Sequence, residues 1–345
     1  MTEDLVLYRK YRPSSFAEVR DQEHIVSVLE GAIAKEQIPH ALLFSGTRGT
    51  GKTTLARIFA SALGTQAVDI YEMDAASNRG IDEIRELKEA AYTLPLQSKY
   101  KVYIIDEVHM LTPQAFNAFL KILEEPPAHV VFILATTEED KLLDTVLSRC
   151  LVFHFRSPSK SVLTALVTDV AKQEGFALEP AAADLIATAA DSSFRDALGV
   201  TQKVILASGD QIGSADEVAA ILGAPTEATL VALLKALNEK NTNKALDLLT
   251  KCQQANVDSR LFNRLLLENL RLILRLRHEP AKQAELLADT GDATRVVLLE
   301  ISQDTKTILN SKALSVFLEA AMRSASAPLP YLPLEIAIYE LTSSE

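Results

Sequence analysis

The feature that most constrains this chain is a five-residue apolar run, Ala41-Leu42-Leu43-Phe44-Ser45. It passes directly into Gly46-Thr47-Arg48-Gly49-Thr50-Gly51-Lys52-Thr53 and then into a helical pattern over 53–63. An apolar run of strand length that is continuous rather than alternating suits a strand buried on both faces of a parallel sheet. The runs 68–73, 102–105, 130–134 and 151–155 read the same way, with helical stretches at 82–91 and 114–123 between them. Strand–helix alternation of this kind means an α/β layered domain around a mostly parallel sheet, ending near Arg156.

Ser157-Pro158-Ser159 breaks the pattern, and past it the strand signal disappears. A helix runs to about Gly175, another starts at Pro180, a third spans 193–207 and stops at Gly209, and a short fourth ends at Gly223. After the second breaker, Gly223-Ala224-Pro225-Thr226, everything reads helical. Leu230, Leu233, Leu234 and Leu237 keep a helical period, as do Leu266, Leu270, Ile273 and Leu274. The expected division is 1–157, an α/β domain; 158–223, a small helical domain; and 224–345, an all-α bundle. The leucine-rich faces around Leu266, Leu270 and Ile273 are candidates for assembly as well as for core packing.

Composition excludes several classes. With 48% hydrophobic and 23% charged residues, wholesale disorder is ruled out. No run of 18 apolar residues marks a membrane span. Met1-Thr2-Glu3-Asp4 lacks the basic-then-apolar pattern of a secretory leader. Cys150 and Cys252 lie far apart, without metal-type spacing. The expectation is a reducing, cytoplasmic setting with no membrane contact. A net charge of −11 excludes a surface that binds nucleic acid everywhere but allows a local basic patch.

The segment 46–53 fits a phosphate-binding loop. Its glycines let backbone N–H groups curl around phosphate oxygens, and the helix that follows adds favourable potential at its N-terminus. Lys52 would reach the terminal phosphates and Thr53 would ligate Mg²⁺, while Thr54 beside it joins the candidate ATP contacts. Ile104-Ile105-Asp106-Glu107 ends a second strand with two carboxylates: Asp106 to hold Mg²⁺ through water, Glu107 to polarise the attacking water. Ala135-Thr136-Thr137 ends a third strand with hydroxyls that suit a phosphate or a water. His109, a lone histidine, receives no catalytic role.

Taken with Asp106-Glu107-Val108-His109-Met110-Leu111, Glu124-Glu125-Pro126-Pro127 and Ser148-Arg149-Cys150, the loop resembles that of the clamp-loader AAA+ ATPases, in particular the gamma/tau subunits of bacterial DNA polymerase III. The resemblance covers all three inferred parts and is weakest past Pro225. It implies a RecA-like ATP-binding domain, a helical lid and a helical collar that holds subunits in a ring. Tyr8-Arg9-Lys10-Tyr11-Arg12-Pro13 resembles the family's segment over the adenine, so Tyr8, Arg9, Tyr11, Arg12 and Pro13 join Gly46, Thr47, Arg48, Gly49, Thr50 and Gly51 as candidate ATP contacts. Thr137, with Thr136 as the alternative, matches sensor 1. Arg195, in Arg195-Asp196-Ala197-Leu198, matches sensor 2 on the γ-phosphate. Arg149, just after a short helix expected at 142–147, matches an arginine finger acting on a neighbouring subunit's ATP.

The implied function is ATP-driven opening of a sliding clamp and its placement on primer–template DNA, within bacterial, nucleoid-associated replication machinery. A branch-migration or recombination motor and a non-hydrolysing scaffold are the alternatives. Arg79 and Arg85, at and after a helix start, are candidates for DNA-backbone contact, whereas Lys88 reads as solvated helix face. The 92–96 loop is read as packing on its own core, with clamp contact as the alternative. Two departures from the family stand out. Its four-cysteine zinc module is replaced by a direct passage through Leu63-Gly64-Thr65-Gln66-Ala67-Val68, so no such zinc site can form from Cys150 and Cys252. Asp21 stands where the family usually has Gly, a replacement that tolerates a positive φ.

Overall fold

The structure is a computed structural model and describes residues 6–208, 212–287, 290–324 and 326–342. The chain divides into two compact units. One runs to Leu163 and includes Ser192–Asp196; the other is Thr164–Asp191 with the chain from Ala197 onward.

The first unit alternates strand and helix. Its elements are α1 (Leu7–Lys10), α2 (Glu23–Ala34), β1 (Ala41–Ser45), α3 (Lys52–Ala62), β2 (Ile70–Asp74), α4 (Ile81–Ala91), β3 (Lys101–Asp106), α5 (Pro113–Glu124), β4 (Val130–Thr136), α6 (Asp144–Leu147) and β5 (Leu151–His154). The strands form one sheet in the order β2-β3-β4-β1-β5, with every pair parallel. Side chains alternate across it. Leu42, Phe44, Val102, Ile104, Val131 and Ile133 pack with Ile25, Leu29, Leu55 and Phe59 of α2 and α3. Leu43, Tyr103, Ile105, Phe132 and Leu134 pack on the other face with Ile84, Phe116, Phe119 and Ile122 of α4 and α5. A helix layer on each face is why β1, β3 and β4 are apolar without interruption.

The two outer strands differ from expectation. β2 and β5 are edge strands, and most of their residues are partly or fully exposed. Val68 lies not in β2 but in a 3₁₀ turn, Ala67–Asp69, that precedes it. The expected 142–147 helix shrinks to α6, because a 3₁₀ turn at Glu139–Lys141 precedes it and Leu143, its N-cap, has an extended conformation. Asp21 has φ 62, the left-handed conformation that glycine adopts most easily and aspartate tolerates.

The 92–96 loop also departs from its reading. Tyr92, Leu94 and Leu96 are exposed, Leu94 at 74%. Buried polar groups hold the loop from beneath. Asp69 accepts from Leu96 N at 2.6 Å and Gln97 N at 2.9 Å, and Lys101 Nζ donates to Ala90 O and Thr93 Oγ1, both at 2.8 Å.

In the second unit, α7 (Lys160–Gln173), which starts in the first unit, is followed by α8 (Pro180–Ala189), α9 (Phe194–Ala207) and α10 (Ala215–Leu222). Gly209, expected to stop α9, lies outside the described residues. The sequence showed no strand here, yet β6 (Ala177–Leu178) and β7 (Ile212–Gly213) pair in parallel. Gly223 caps α10 at φ 65. The remainder is α11 (Glu227–Asn238), α12 (Thr242–Gln254), α13 (Ser259–His278), α14 (Gln283–Leu286), α15 (Asp292–Gln303), α16 (Ser311–Ser324) and α17 (Leu332–Thr342). Side-chain oxygens of Thr226, Asn241 and Asp258 cap α11, α12 and α13. Leu266, Leu270 and Ile273 are buried in this unit's own core with Leu234, Phe262, Phe317 and Ile338, so they are not the free apolar face considered above. The exposed apolar residues here include Leu318, Met322, Ile336 and Tyr339 on α16 and α17. Among the described residues, no single helix is long and apolar enough to cross a membrane.

Candidate active site

The sheet register gathers the polar strand ends. Leu134 of β4 is level with Leu43 of β1 and with Ile105 of β3. The phosphate loop, the Asp106-Glu107 pair and the Thr136-Thr137 pair therefore emerge side by side from the C-terminal ends of three adjacent strands, where open α/β sheets place their ligands.

The loop is built for close approach. Gly51 is the N-cap of α3 at φ 101, and Gly49 has φ 76. A Cβ at Gly49 would stand 1.9 Å from Ser193 Oγ. Thr50, buried, donates its hydroxyl to Thr47 O at 2.9 Å, and Thr47 Oγ1 lies 2.9 Å from Ser157 Oγ. Arg48 is exposed at the tip. Lys52 opens α3 and is only 6% exposed; its Nζ donates to Gly46 O at 2.7 Å and Thr47 O at 2.9 Å. Burial pushes its ammonium below the ordinary lysine value, and the charges of Glu107 and Asp106 oppose that shift.

Thr53 Oγ1 donates to Asp106 Oδ2 at 2.6 Å, and Thr54 is half-buried beside it. Glu107 Oε2 accepts from Thr137 Oγ1 at 2.9 Å and from Thr137 N at 3.3 Å. Thr136 is buried and turns instead to His109 Nδ1, at 3.0 Å. Of the two threonines left open by the sequence, Thr137 is the one against Glu107. A concave loop with a buried cation and a helix N-terminus fits a polyphosphate. A hydroxyl beside a carboxylate is an oxygen-only donor set, which fits Mg²⁺.

Arg195 lies over the Tyr8 ring, with its guanidinium carbon 4.9 Å from the centroid, and Arg9 approaches the same ring at 5.9 Å. The hydrogen bond that Arg195 donates to Tyr8 holds the phenol below its ordinary pKa. Tyr11, Arg12 and Pro13 are half-buried. Burial lowers the Arg12 guanidinium, with further lowering from Arg57 and opposition from Glu72, itself forked by Arg57 at 2.6 and 2.8 Å.

The remaining candidates make their contacts elsewhere. Arg149 donates to Glu124 Oε1 at 2.6 Å and to Thr145 O at 2.7 Å. Arg85 pairs with Asp82 at 3.0 Å on an exposed helix face, and Arg79 is exposed. Three residues to which the sequence assigned no chemistry, His109, Glu138 and Glu124, contact Glu107, Thr136 and Arg149 respectively. Only their tertiary partners reveal them.

Known proteins resemble the chain over most of its length. A family model for "DNA polymerase III, delta subunit" matches residues 65–159, one for "DNA polymerase III clamp loader subunit, ATPase lid domain" matches 163–210, and one for "DNA polymerase III subunits gamma and tau domain III" matches 214–344. DNA polymerase III subunit tau of Bacillus subtilis is 40% identical over 273 residues, 73% of this chain and 48% of that protein. The subunit of the same name in Escherichia coli is 39% identical over 292 residues, 79% of this chain and 45% of that protein. The chain thus spans about half the length of these relatives. Among solved structures, the Thermotoga maritima RuvB Holliday junction branch migration motor superposes with a TM-score of 0.53 at 24% identity, covering 66% of this chain and 80% of that one. That likeness concerns the fold alone. The three consecutive family matches and the identity to tau subunits over most of the chain make it similar to the gamma/tau-type clamp-loader subunits of DNA polymerase III.

Proposed function

We propose that this chain is an ATP-hydrolysing clamp-loader subunit. In a ring with other subunits it opens a sliding clamp and loads it on primer–template DNA, in the bacterial cytoplasm with the replication machinery. Residues 1–157 would bind ATP, 158–223 form the lid and 224–345 the collar. The observation that carries the reading is the pairing at the strand ends: Thr53 on Asp106 and Thr137 on Glu107, around the buried Lys52.

In this reading the N–H groups of 46–53 and Lys52 cradle the phosphates, with Thr54 at the edge. Thr53 and, through water, Asp106 would hold Mg²⁺, and the ion would supply positive charge against the phosphates. Glu107 accepts a proton from water as that water attacks, and Thr137 orients the base. Tyr8, Arg9, Tyr11, Arg12 and Pro13 bind the base and sugar end. Arg195 approaches the γ-phosphate of its own subunit, Arg149 that of a neighbour. Arg79 and Arg85 touch the DNA backbone, where a helix start and guanidinium groups recognise phosphate without reading bases. Zinc has no part.

ATPase assays with and without clamp and primed DNA test the reading. Stimulation that requires both supports it. Stimulation by DNA alone would assign a DNA motor, and no turnover a nucleotide-binding scaffold. Lys52→Ala should lose most phosphate affinity. Glu107→Gln should bind ATP normally and hydrolyse it roughly 10²–10⁴-fold more slowly. One zinc per chain in metal analysis would contradict the zinc-free assignment.

A further inference from the structure

Beside Glu107 lies an imidazole that the chemistry above does not use. His109 belongs to the 3₁₀ turn Val108–Met110, and its side chain is 5% exposed. Both of its ring nitrogens are engaged. Nδ1 is 3.0 Å from Thr136 Oγ1 and 3.5 Å from Glu107 Oε2, and Nε2 is 3.3 Å from Glu138 Oε1. The far side of this network is also tied down. Thr136 Oγ1 accepts from Glu138 N at 3.0 Å, and the other oxygen of Glu138 pairs with Lys141 at 2.7 Å.

Glu107 needs such support. Its backbone is left-handed, φ 49 and ψ 45, a conformation that costs a non-glycine residue about 1–2 kcal/mol and persists only where its surroundings enforce it. The contacts converge on one carboxylate oxygen, Oε2, which faces Thr137 N, Thr137 Oγ1 and His109 Nδ1. That convergence fixes the rotation of the carboxylate, which decides whether a general base meets its water.

We propose that His109 is a positioning residue for Glu107. It ties the base to the 136–138 segment at the end of β4, so that base and segment keep one relative geometry. The inference rests on the ATPase reading above. His109 itself exchanges no proton with substrate; it acts through Glu107.

The test separates the two ring nitrogens. In His109→Asn the amide nitrogen replaces Nδ1 and keeps the Thr136 and Glu107 side of the network. In His109→Gln the longer side chain replaces Nε2 and keeps only the Glu138 side. With the assembled complex, clamp and primed DNA, His109→Ala and His109→Gln should lose roughly ten- to a hundred-fold in kcat with unchanged affinity for a non-hydrolysable ATP analogue. His109→Asn should retain most of the activity. In a Glu107→Gln background, His109→Ala should add nothing, because its effect passes through the base. Thermal melts of each variant give the folded fraction. The proposal is overturned if Asn and Gln behave alike, if losses only follow the folded fraction, or if the two substitutions multiply independently. A wild-type complex without turnover would refute the ATPase reading and this inference with it. Normal His109→Ala activity beside an inactive Glu107→Gln would refute this inference alone.

Discussion

The guanidinium of Arg149 is held by Glu124 of its own chain, Nη2 to Oε1 at 2.6 Å, with Nη1 on the carbonyl of Thr145 at 2.7 Å. Glu124 is the last residue of α5, and Arg149 follows α6 by two positions, so two helix ends aim this cation. The Arg149 side chain is 32% exposed. Surface pairs of this kind add little to stability, roughly 0–1 kcal/mol, which leaves direction as the pair's main effect.

If Arg149 completes a neighbour's site, Arg149→Ala should bind ATP normally yet lose about 10³-fold or more of turnover. A chain carrying Lys52→Ala has the opposite defect. Mixed in one ring, the two should recover part of the activity that neither has alone. Recovery of nothing, together with a lowered melting temperature for Arg149→Ala, would assign Arg149 a structural ion pair instead.

Gly49→Ala should destabilise the first unit by roughly 1–3 kcal/mol, because a Cβ there meets Ser193 Oγ at 1.9 Å and φ 76 disfavours a side chain. Adding Ser193→Gly removes the overlap but not the backbone penalty, so denaturant melts should show partial recovery. Full additivity of the two changes would show that the close approach carries no energy.

Cys150 follows Arg149 directly, yet burial pushes its thiol up to about 11. Alkylation near neutral pH should therefore run roughly two orders of magnitude slower in the folded protein than in the unfolded chain, read from the mass of the Cys150 peptide. Rapid labelling of the folded protein would mean that the neighbouring cation, not burial, governs this thiol.

Glu279, at the end of α13, accepts from Arg275 and pairs with Lys282. Those hydrogen bonds hold its carboxyl down at about 2, against an ordinary 4.5. A depressed carboxylate adds stability that is fully present above its ordinary value and fades as pH falls through the depressed one. The stability difference between wild type and Glu279→Gln should accordingly shrink as pH falls from about 4.5 to about 2. A difference that stays constant over that window would show that the ion pairs do not couple to folding.

What the sequence disclosed follows burial. β1, β3 and β4 are covered on both faces and show as unbroken apolar runs, and the loop they support is recognisable by its glycines. β2 and β5 lie at the sheet edges. There Glu72 can face solvent and pair with Arg57, so apolarity no longer marks the boundary and the expected start slips to Val68. β6 and β7 have two residues each, too few for any period. The grouping of Lys52, Thr53, Asp106, Glu107 and Thr137 was readable because each ends or follows a recognisable strand. His109 was not, because two of its three partners, Thr136 and Glu138, lie 27 and 29 residues away at and just past the end of β4, and no spacing rule connects them.

The Gly49 carbonyl is the acceptor for the N–H of Phe194, at 3.0 Å, and Phe194 is the first residue of α9. A loop that reshapes itself around a ligand must either carry that amide along or release it. Arg195 is the next residue, so its departure point is set by a backbone bond rather than by its own long side chain. Movement of the loop is thereby tied to whether one amide keeps its acceptor. It is a discrete mark at the root of a helix, and amide exchange at Phe194 can read it without any turnover of nucleotide.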